Sequence, residues 1–361
     1  MTAASTASAA PMSNLLARYA AQRLAFAPLM FQACRALRDV GILEHLANAR
    51  ARGLTPTEAV ARTQVSLYAA QLLLEAGMAS GLCTFEDREP EPRFFITAMG
   101  VYWLRDPLTR VNAEFNHHVC YQGAFDLRAA LLEGRPTGLA AIDSTGAATV
   151  YEALRTLPPE VKQAWFDFDH HYSDGVFELC LPHVLGHGAP TLVDVGGNTG
   201  RFARLCLEHG AKHVTLVDLP GQLAVAGEQL ASLAGRFTLH PTNLLEEGAS
   251  LPKGADVYWL SQFLDCFSEG QIRSILTRVR QAMRPDSRVY ILETFWDQQE
   301  HEAARFCVIG TSLYFASIAN GNSRMYHSRV LKRLMGEAGL KLVTEVQRVG
   351  LSHTLLVGGA G

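Results

Sequence analysis

The chemically suggestive feature of this 361-residue chain is a pair of carboxylates around a glycine turn. The stretch Leu192-Val-Asp-Val-Gly-Gly-Asn-Thr-Gly-Arg201 opens as an apolar, β-branched run too short for a helix. It breaks into glycines before Phe202-Ala-Arg-Leu-Cys-Leu resumes at helical spacing. It reads as strand, turn and helix. Gly196, Gly197 and Gly200 let backbone approach a ligand that a Cβ would hold off. Asp194 closes the strand at its carboxyl edge, where open α/β sheets bind ligands. A second strand, His213-Val-Thr-Leu-Val-Asp218, also ends in an acid, one βα unit later, where a carboxylate can grip the two hydroxyls of a ribose. A pyrophosphate is not expected. A dinucleotide turn needs Gly-x-Gly-x-x-Gly, but Asn198 holds the middle position counted from Gly196, and Phe202 the last one counted from Gly197. A Walker lysine is missing as well.

These residues need a sheet to hold them. Further strands are expected at 236–240, 256–261 and 288–293, each separated by a helical stretch, which is the order of a parallel, doubly wound sheet. Runs at 341–348 and 351–358, joined by a tight turn at Gly350, should pair antiparallel at one edge.

Ahead of the sheet, residues 14–47 repeat apolar positions (Leu15, Leu16, Tyr19, Leu24, Phe26, Leu29) at helical spacing on more than one face, so a second surface must cover them. A homodimer would supply it. Thr55-Pro-Thr-Glu58 reads as a capping box with Pro at the first helical position. Ser66 opens the next helix and Gly81 closes it. Runs at 82–85 and 93–96 then read as a hairpin, completing a winged-helix order. The wing is acidic (Glu86, Asp87, Glu89, Glu91) and the helix from Ser66 offers no lysine or arginine to base edges, which argues against DNA reading. Helices at 111–132 and 159–185, joined by a Gly-rich loop at 134–146 read as mobile, carry His117, His118, His170 and His171. Members of a histidine doublet on a helix point about 100° apart, and no i, i+4 pair occurs among the four, so no metal is expected.

Net charge is −3, from 32 basic and 35 acidic residues, without the basic excess that a nucleic-acid partner demands. The seven cysteines are scattered with no Cys-x-x-Cys, so neither disulfides nor structural zinc is expected. No apolar run reaches membrane-spanning length. Met1–Ser13, rich in Ala, Ser and Thr, reads as a loose tail rather than a signal peptide, and the protein is placed in a reducing cytoplasm.

The glycine turn resembles the first motif of class I S-adenosylmethionine (SAM) methyltransferases, a variation on Val-Asp-Val-Gly-Gly-Gly-Thr-Gly; SAM carries ribose and adenine but no phosphate. From about residue 15 to 358 the chain resembles the caffeic-acid and hydroxyindole type of SAM-dependent O-methyltransferases, dimers with an N-terminal winged-helix domain. The resemblance implies an α/β fold: a doubly wound seven-stranded sheet with an antiparallel edge strand. It also implies a dimerisation domain at 14–110, a helical bridge at 111–185 and a SAM-binding domain at 186–361. Asp218-Leu219-Pro220 matches the family's Asp-Leu-Pro. Thr242-Asn243-Leu244-Leu245 stands where Gly-Asp-Met-Phe holds adenine. Tyr172-Ser173-Asp174 is similar to the Met-Ser-Asp near the methionine end. The cofactor residues implied are Ser173, Asp194, Gly196, Gly197, Gly200, Asp218, Leu219, Asn243, Leu244, Gln262 and Phe267.

The catalytic signature departs from the family. Where members carry Leu-His-Asp-Trp-Ser, this chain has Leu264-Asp-Cys-Phe-Ser268. Asp265 replaces the proton-accepting histidine, Phe267 replaces the tryptophan packed near adenine, and Glu293 keeps the place of the acid that orients the histidine. Ser328, beside His327, takes the place of a further acid. An ordinary aspartate near pKa ~3.9 is a weak base for a phenol near ~10, but if Asp265 and Glu293 lie close, repulsion and burial would raise one of them and make a shared-proton pair usable. The alternative base is a histidine: His117, His118, His170, His171 or His327. His117, His118, Asn320 and His327 are the candidate substrate contacts. The expected reaction moves a methyl group from SAM to a small aromatic, phenolic acceptor, free or attached to a carrier protein, and leaves S-adenosylhomocysteine. Methylation of a phenol ring carbon and a catalytically silent SAM-binding protein are the other readings. Gln262-Phe-Leu-Asp-Cys-Phe267 and Asn320-Gly-Asn-Ser-Arg-Met-Tyr-His327 resemble a bacterial subgroup, that of aryl-polyene pigment pathways.

Overall fold

The computed structural model describes residues 12–186 and 188–361; the expected tail therefore lies outside the described residues up to position 11. The chain forms two compact units that divide after Arg110.

In the first unit, helix α1 (Asn14–Asp39) is followed by α2 (Ile42–Ala49), α3 (Pro56–Val60), α4 (Leu67–Ser80), hairpin strands β1 (Cys83–Glu86) and β2 (Arg93–Ile96), and α5 (Ala98–Arg105). The caps are those the sequence spells. Thr55 and Glu58 close a reciprocal capping box on α3, Ser66 caps α4, and Gly81 ends α4 in the left-handed region at φ 88°. Leu37, Ile42, Leu43, Leu46, Leu74, Leu82 and Phe94 form the core of this unit. One stretch of α1 is left bare: Leu15 and Leu24 are 78% and 77% exposed, and Leu16, Tyr19, Phe26 and Leu29 are also exposed.

The helical segment that opens the second unit departs from the single helix expected at 111–132. Helix α6 (Pro107–Phe115) runs into a π-helical turn at Asn116–Cys120, then a 3₁₀ turn, then α7 (Leu127–Glu133). The break has a packing cause. A Cβ on Gly123 would lie 2.6 Å from the Gly138 carbonyl oxygen, so two backbones meet there, and a continuous helix with ordinary side chains could not make that approach. The same contact corrects the mobile loop expected at 134–146: Gly138 and Leu139 are buried, and the Asp143 carboxylate accepts hydrogen bonds from the Thr145 and Ala147 backbone N–H groups. Helices α8 (Val150–Ala153) and α9 (Pro159–Leu185) follow.

The remaining elements alternate: β3 (Thr191–Val195), α10 (Arg201–Glu208), β4 (His213–Asp218), α11 (Pro220–Gln229), β5 (Phe237–Pro241), β6 (Val257–Ser261), α12 (Glu269–Ala282), β7 (Arg288–Glu293), α13 (Glu302–Tyr314), α14 (Ser328–Glu337), β8 (Leu340–Val349) and β9 (His353–Ala360). The sheet order is β5-β4-β3-β6-β7-β9-β8, with β9 antiparallel to both β7 and β8. Strands alternate their side chains between faces. Val193, Val195, Tyr258 and Leu260 pack with Ile272 and Ile275 of α12 and Leu331 of α14. Leu192, Trp259 and Tyr290 pack with Val176 and Cys180 of α9 and Phe202 of α10 on the other side. Chain order runs outward from β3 in one direction and restarts at β6 in the other, so the crevice at the carboxyl ends of β3 and β6 is the switch point where such sheets take ligands.

Candidate active site

Four neighbouring strands each deliver an acid to that edge. Asp194 is the penultimate residue of β3, Asp218 ends β4, Glu293 ends β7, and Asp265 lies in the short 3₁₀ turn Leu264–Cys266 that follows β6. Adjacent strands sit about 4.8 Å apart, so the four share one cleft rim.

The glycine turn closes as its residues require. Gly196 and Gly200 have φ of 76° and 80°, and Asn198 holds the left-handed region at 46°, a conformation asparagine tolerates better than most side chains. A Cβ at Gly196 would lie 2.3 Å from the Phe263 ring, and one at Gly197 3.2 Å from the Asp194 carboxyl. Asp218 accepts from the Asn198 N–H at 2.8 Å through Oδ2 and from the Leu219 N–H at 2.7 Å through Oδ1. Each oxygen keeps a lone pair for a further donor. Burial raises the Asp218 carboxyl above its ordinary range against these two hydrogen bonds. Asp194 is 3% exposed with Oδ2 unpartnered, and burial, then the nearby Asp218, pushes it up to about 7. The Asn198 Oδ1 and Ser261 Oγ atoms are also buried without partners. Two acids with spare acceptor capacity beside a glycine turn fit a ligand that offers two hydroxyls and a positive charge, as SAM does.

Other expected cofactor residues vary in their placing. Ser173 is buried on α9. Leu219 and Asn243 line a cleft of about 420 Å³ with Pro220, His240 and Thr242. Asn243 Oδ1 accepts from the Leu245 N–H at 3.0 Å, which fixes the loop and leaves one lone pair. Leu244 is buried in the core with Val217 and Leu251. Gln262 sits at φ 47° with its N–H donating to the Leu292 carbonyl. Phe267 packs edge-on against Phe263 at 4.8 Å between ring centroids.

In the turn after β6, Asp265 is 9% exposed, and burial pushes its carboxyl up to about 6 against the pull of the Cys266 thiol and backbone amides. Glu293 is 2% exposed; burial, then the Asp265 charge, raises it well above the carboxylate range. Its Oε1 accepts from the Phe263 and Leu264 N–H groups at 3.1 and 2.8 Å, and its Oε2 has no partner. Among the described residues, no hydrogen bond joins the two carboxyls. Glu293 instead pins the turn that carries Asp265, and the two feel each other through charge.

The expected substrate contacts separate. Asn320 spends its whole amide on its own chain, donating to the Cys266 carbonyl and Ser323 Oγ at 2.8 Å each and accepting from the Asn322 and Ser323 N–H groups. An amide has four such valences, so Asn320 braces the loop. His327 caps α14, accepting from the Arg329 N–H, with Asp297 3.2 Å away and Trp296 edge-on. His117 and His118 lie in the π-helical turn with rings edge to face at 4.7 Å, and His118 faces Glu114 at 3.4 Å. His170 on α9 has a buried, unpartnered Nε2, and burial lowers its pKa.

Three further residues escaped the sequence reading. Tyr151 is held far above its ordinary pKa by burial and by Cys266, Tyr314 and Asp265 nearby. Trp165 donates its indole N–H to the Tyr314 hydroxyl at 2.7 Å, building an aromatic wall with Phe115 and Phe168, whose rings stack at 3.9 Å. Asp169, one helical turn past Trp165, is pushed up to about 7 by burial, Asp174 and Asp265. The available signal was the four-residue spacing of Trp165, Asp169 and Ser173.

An O-methyltransferase domain model matches residues 126–341, and a Dimerisation2-like domain model matches 18–90. Demethylspheroidene O-methyltransferase of Cereibacter sphaeroides is 31% identical over 226 residues, which is 62% of this chain and 57% of that protein. L-tyrosine C(3)-methyltransferase of Streptomyces lavendulae is 22% identical over 324 residues, 87% of this chain and 84% of that one. The chain spans about half the length of the first curated relatives it matches. The solved structure of mitomycin 7-O-methyltransferase MmcR superimposes with a TM-score of 0.70 at 19% identity, over 96% of this chain and 98% of that one; at that identity the likeness is one of fold.

Proposed function

Because the chain belongs to the O-methyltransferase domain family, we propose that it transfers a methyl group from SAM to the hydroxyl of a small phenol and releases S-adenosylhomocysteine. The observation that carries this reading is Asp265: a buried carboxyl with its pKa lifted to about 6, on the rim it shares with the glycine turn. SAM supplies an electrophilic methyl on a cationic sulfur. Asp218 would hold the ribose hydroxyls, Asp194 and Ser173 the charged methionine end, and Gly196 the close backbone approach.

The protein's own part is then positioning, exclusion of water and one proton. A carboxylate near 6 is a better match to a phenol near ~10 than an ordinary aspartate. Asp265 takes the phenol proton as attack proceeds, while Glu293 keeps the turn in register through the Phe263 and Leu264 amides. The aromatic wall of Trp165, Phe115, Phe168 and Tyr314 orients a flat acceptor and keeps the site dry, where alignment supplies much of the rate.

Methyl transfer to a ring carbon is the second reading, favoured by the length over which the chain matches a tyrosine C-methyltransferase and by the missing histidine. A SAM-binding protein without turnover is the outcome if Asp265 serves as no base. The bare apolar face of α1 and the Dimerisation2-like match support a homodimer, with the segment 111–185 roofing the site. The working compartment is the cytoplasm, and the acceptor is free or carried on a protein. No helix of the described residues is long and apolar enough to cross a membrane.

The test is incubation with methyl-labelled SAM and a phenol panel, read by mass spectrometry, with NMR assigning the new methyl to oxygen or carbon. Absence of both SAM binding by calorimetry and label transfer would overturn the reading.

A further inference from the structure

The expected cofactor contacts fall on two sides of one cleft, Ser173 on α9 and Asp194 and Asp218 on the sheet edge. A ligand held between them leaves when the two sides part, so whatever ties them bears on its release. Two tethers do so. Arg201, the first residue of α10 after Gly200, forms an ion pair with Asp174 on α9. Arg155, two residues past α8, donates from Nη2 to the Gly221 carbonyl at 2.7 Å, and its guanidinium lies 3.6–3.9 Å from where a Gly221 Cβ would stand. Gly221 follows Pro220, which lines the cleft of about 420 Å³ together with Leu219. The Leu219 N–H in turn donates to Asp218 Oδ1. The other end of the Arg155 tether is firm: Val150, Ala153, Leu154 and Leu157 are buried in one core with Phe115, Trp165 and Tyr314 of the aromatic wall.

Stability does not account for where Arg155 stands. A helix N-terminus carries partial positive charge, so a cation there is disfavoured. Arg201 occupies such a terminus as well, but with Asp174 against it. Arg155 stands at the first turn of α11 with a carbonyl for its partner and, among the described residues, no carboxylate. Its side chain is exposed, where ordering a long guanidinium also costs rotamer entropy. We infer that Arg155 is a latch: its hydrogen bond to the Gly221 carbonyl holds the turn after β4 against the helical segment and slows the departure of SAM and S-adenosylhomocysteine. The role rests on the methyl-transfer reading above. Arg155 acts through the turn that carries Asp218 and Leu219 and is a positioning residue.

The rate of release is the readout. Labelled SAM or labelled S-adenosylhomocysteine is bound to the full chain and chased with an excess of the unlabelled compound, and the bound fraction is followed by rapid filtration. Arg155→Met, which keeps most of the side chain's length without its donors, should release both compounds roughly fivefold faster, the scale of one net hydrogen bond. The unfolding midpoint of the ligand-free protein should stay unchanged or rise, because a cation leaves the positive end of α11. Arg155→Lys, which restores a donor, should recover part of the retention. Release from Arg155→Met at the wild-type rate overturns the latch. Faster release that comes with a lowered ligand-free midpoint and no recovery in Arg155→Lys overturns it too, since Arg155 is then a brace of the fold. A wild type that binds neither compound refutes the functional reading itself, an outcome distinct from failure of the latch alone, in which the wild type binds and the variant lets go no faster.

Discussion

Asp265→Asn should leave the protein more stable and less active, and the size of the gain follows from burial. The carboxyl moves from 3.8 to about 6 on folding, a difference of about 2 units. At 1.36 kcal/mol per unit this is on the order of 3 kcal/mol of ionisation penalty carried by the folded state. The sign follows from proton binding. Because the folded pKa lies above the unfolded one, the folded protein binds more protons between the two values, so wild-type stability falls as pH rises from about 4 to about 6. Above that window the full penalty persists. An amide of the same shape carries no such charge, so the variant should gain up to that amount at pH 8, and the gain should shrink to nothing near pH 4. Urea denaturation of both proteins across pH 4–8 measures the difference. In parallel, methyl transfer should drop by roughly tenfold or more while calorimetric SAM affinity stays nearly unchanged. A variant no more stable than wild type at pH 8, or a stability difference indifferent to pH, would refute the claim that Asp265 is a desolvated base. Unaltered turnover would reassign the proton to a histidine.

Gly196→Ala, whose new Cβ would stand 2.3 Å from the Phe263 ring at a φ of 76°, should cost about 1–3 kcal/mol in strain and abolish calorimetric SAM binding; retained affinity would remove the glycine turn from the site. His353 is buried with both ring nitrogens unpartnered and held down to about 4. Its folded pKa lies below the unfolded 6.5, so stability should be lost as pH falls from about 6.5 to about 4. His353→Leu should flatten that part of a denaturation profile by up to about 3 kcal/mol, and an unchanged slope would place the acid sensitivity elsewhere. Leu15→Arg with Leu24→Arg, on the bare stretch of α1, should convert a dimer to a monomer in sedimentation velocity while the unfolding midpoint of each unit holds; a dimer that survives would move the interface off this helix.

Much of the site was legible because its parts are local. Gly196, Asn198 and Gly200 advertise a turn whose backbone only small or amide residues adopt, and Asp194 and Asp218 stand at strand ends that β-branched runs make visible. What single stretches did not reveal was which side chains close on one another. Asn320 reads as a substrate contact by position, yet its four hydrogen bonds close on Cys266, Asn322 and Ser323. The unbroken helix expected at 111–132 breaks because Gly123 must meet Gly138, a contact between segments that no single-segment periodicity contains.

The sequence alone determined the parallel sheet, the turn at its carboxyl edge and the loss of the histidine, because propensity, spacing and residue chemistry are properties of short stretches. Tertiary structure alone decided the surroundings of the retained and the replacement acid. Glu293 became a backbone clamp and Asp265 a carboxyl lifted to about 6 because burial and distance, not residue type, set a carboxyl's pKa.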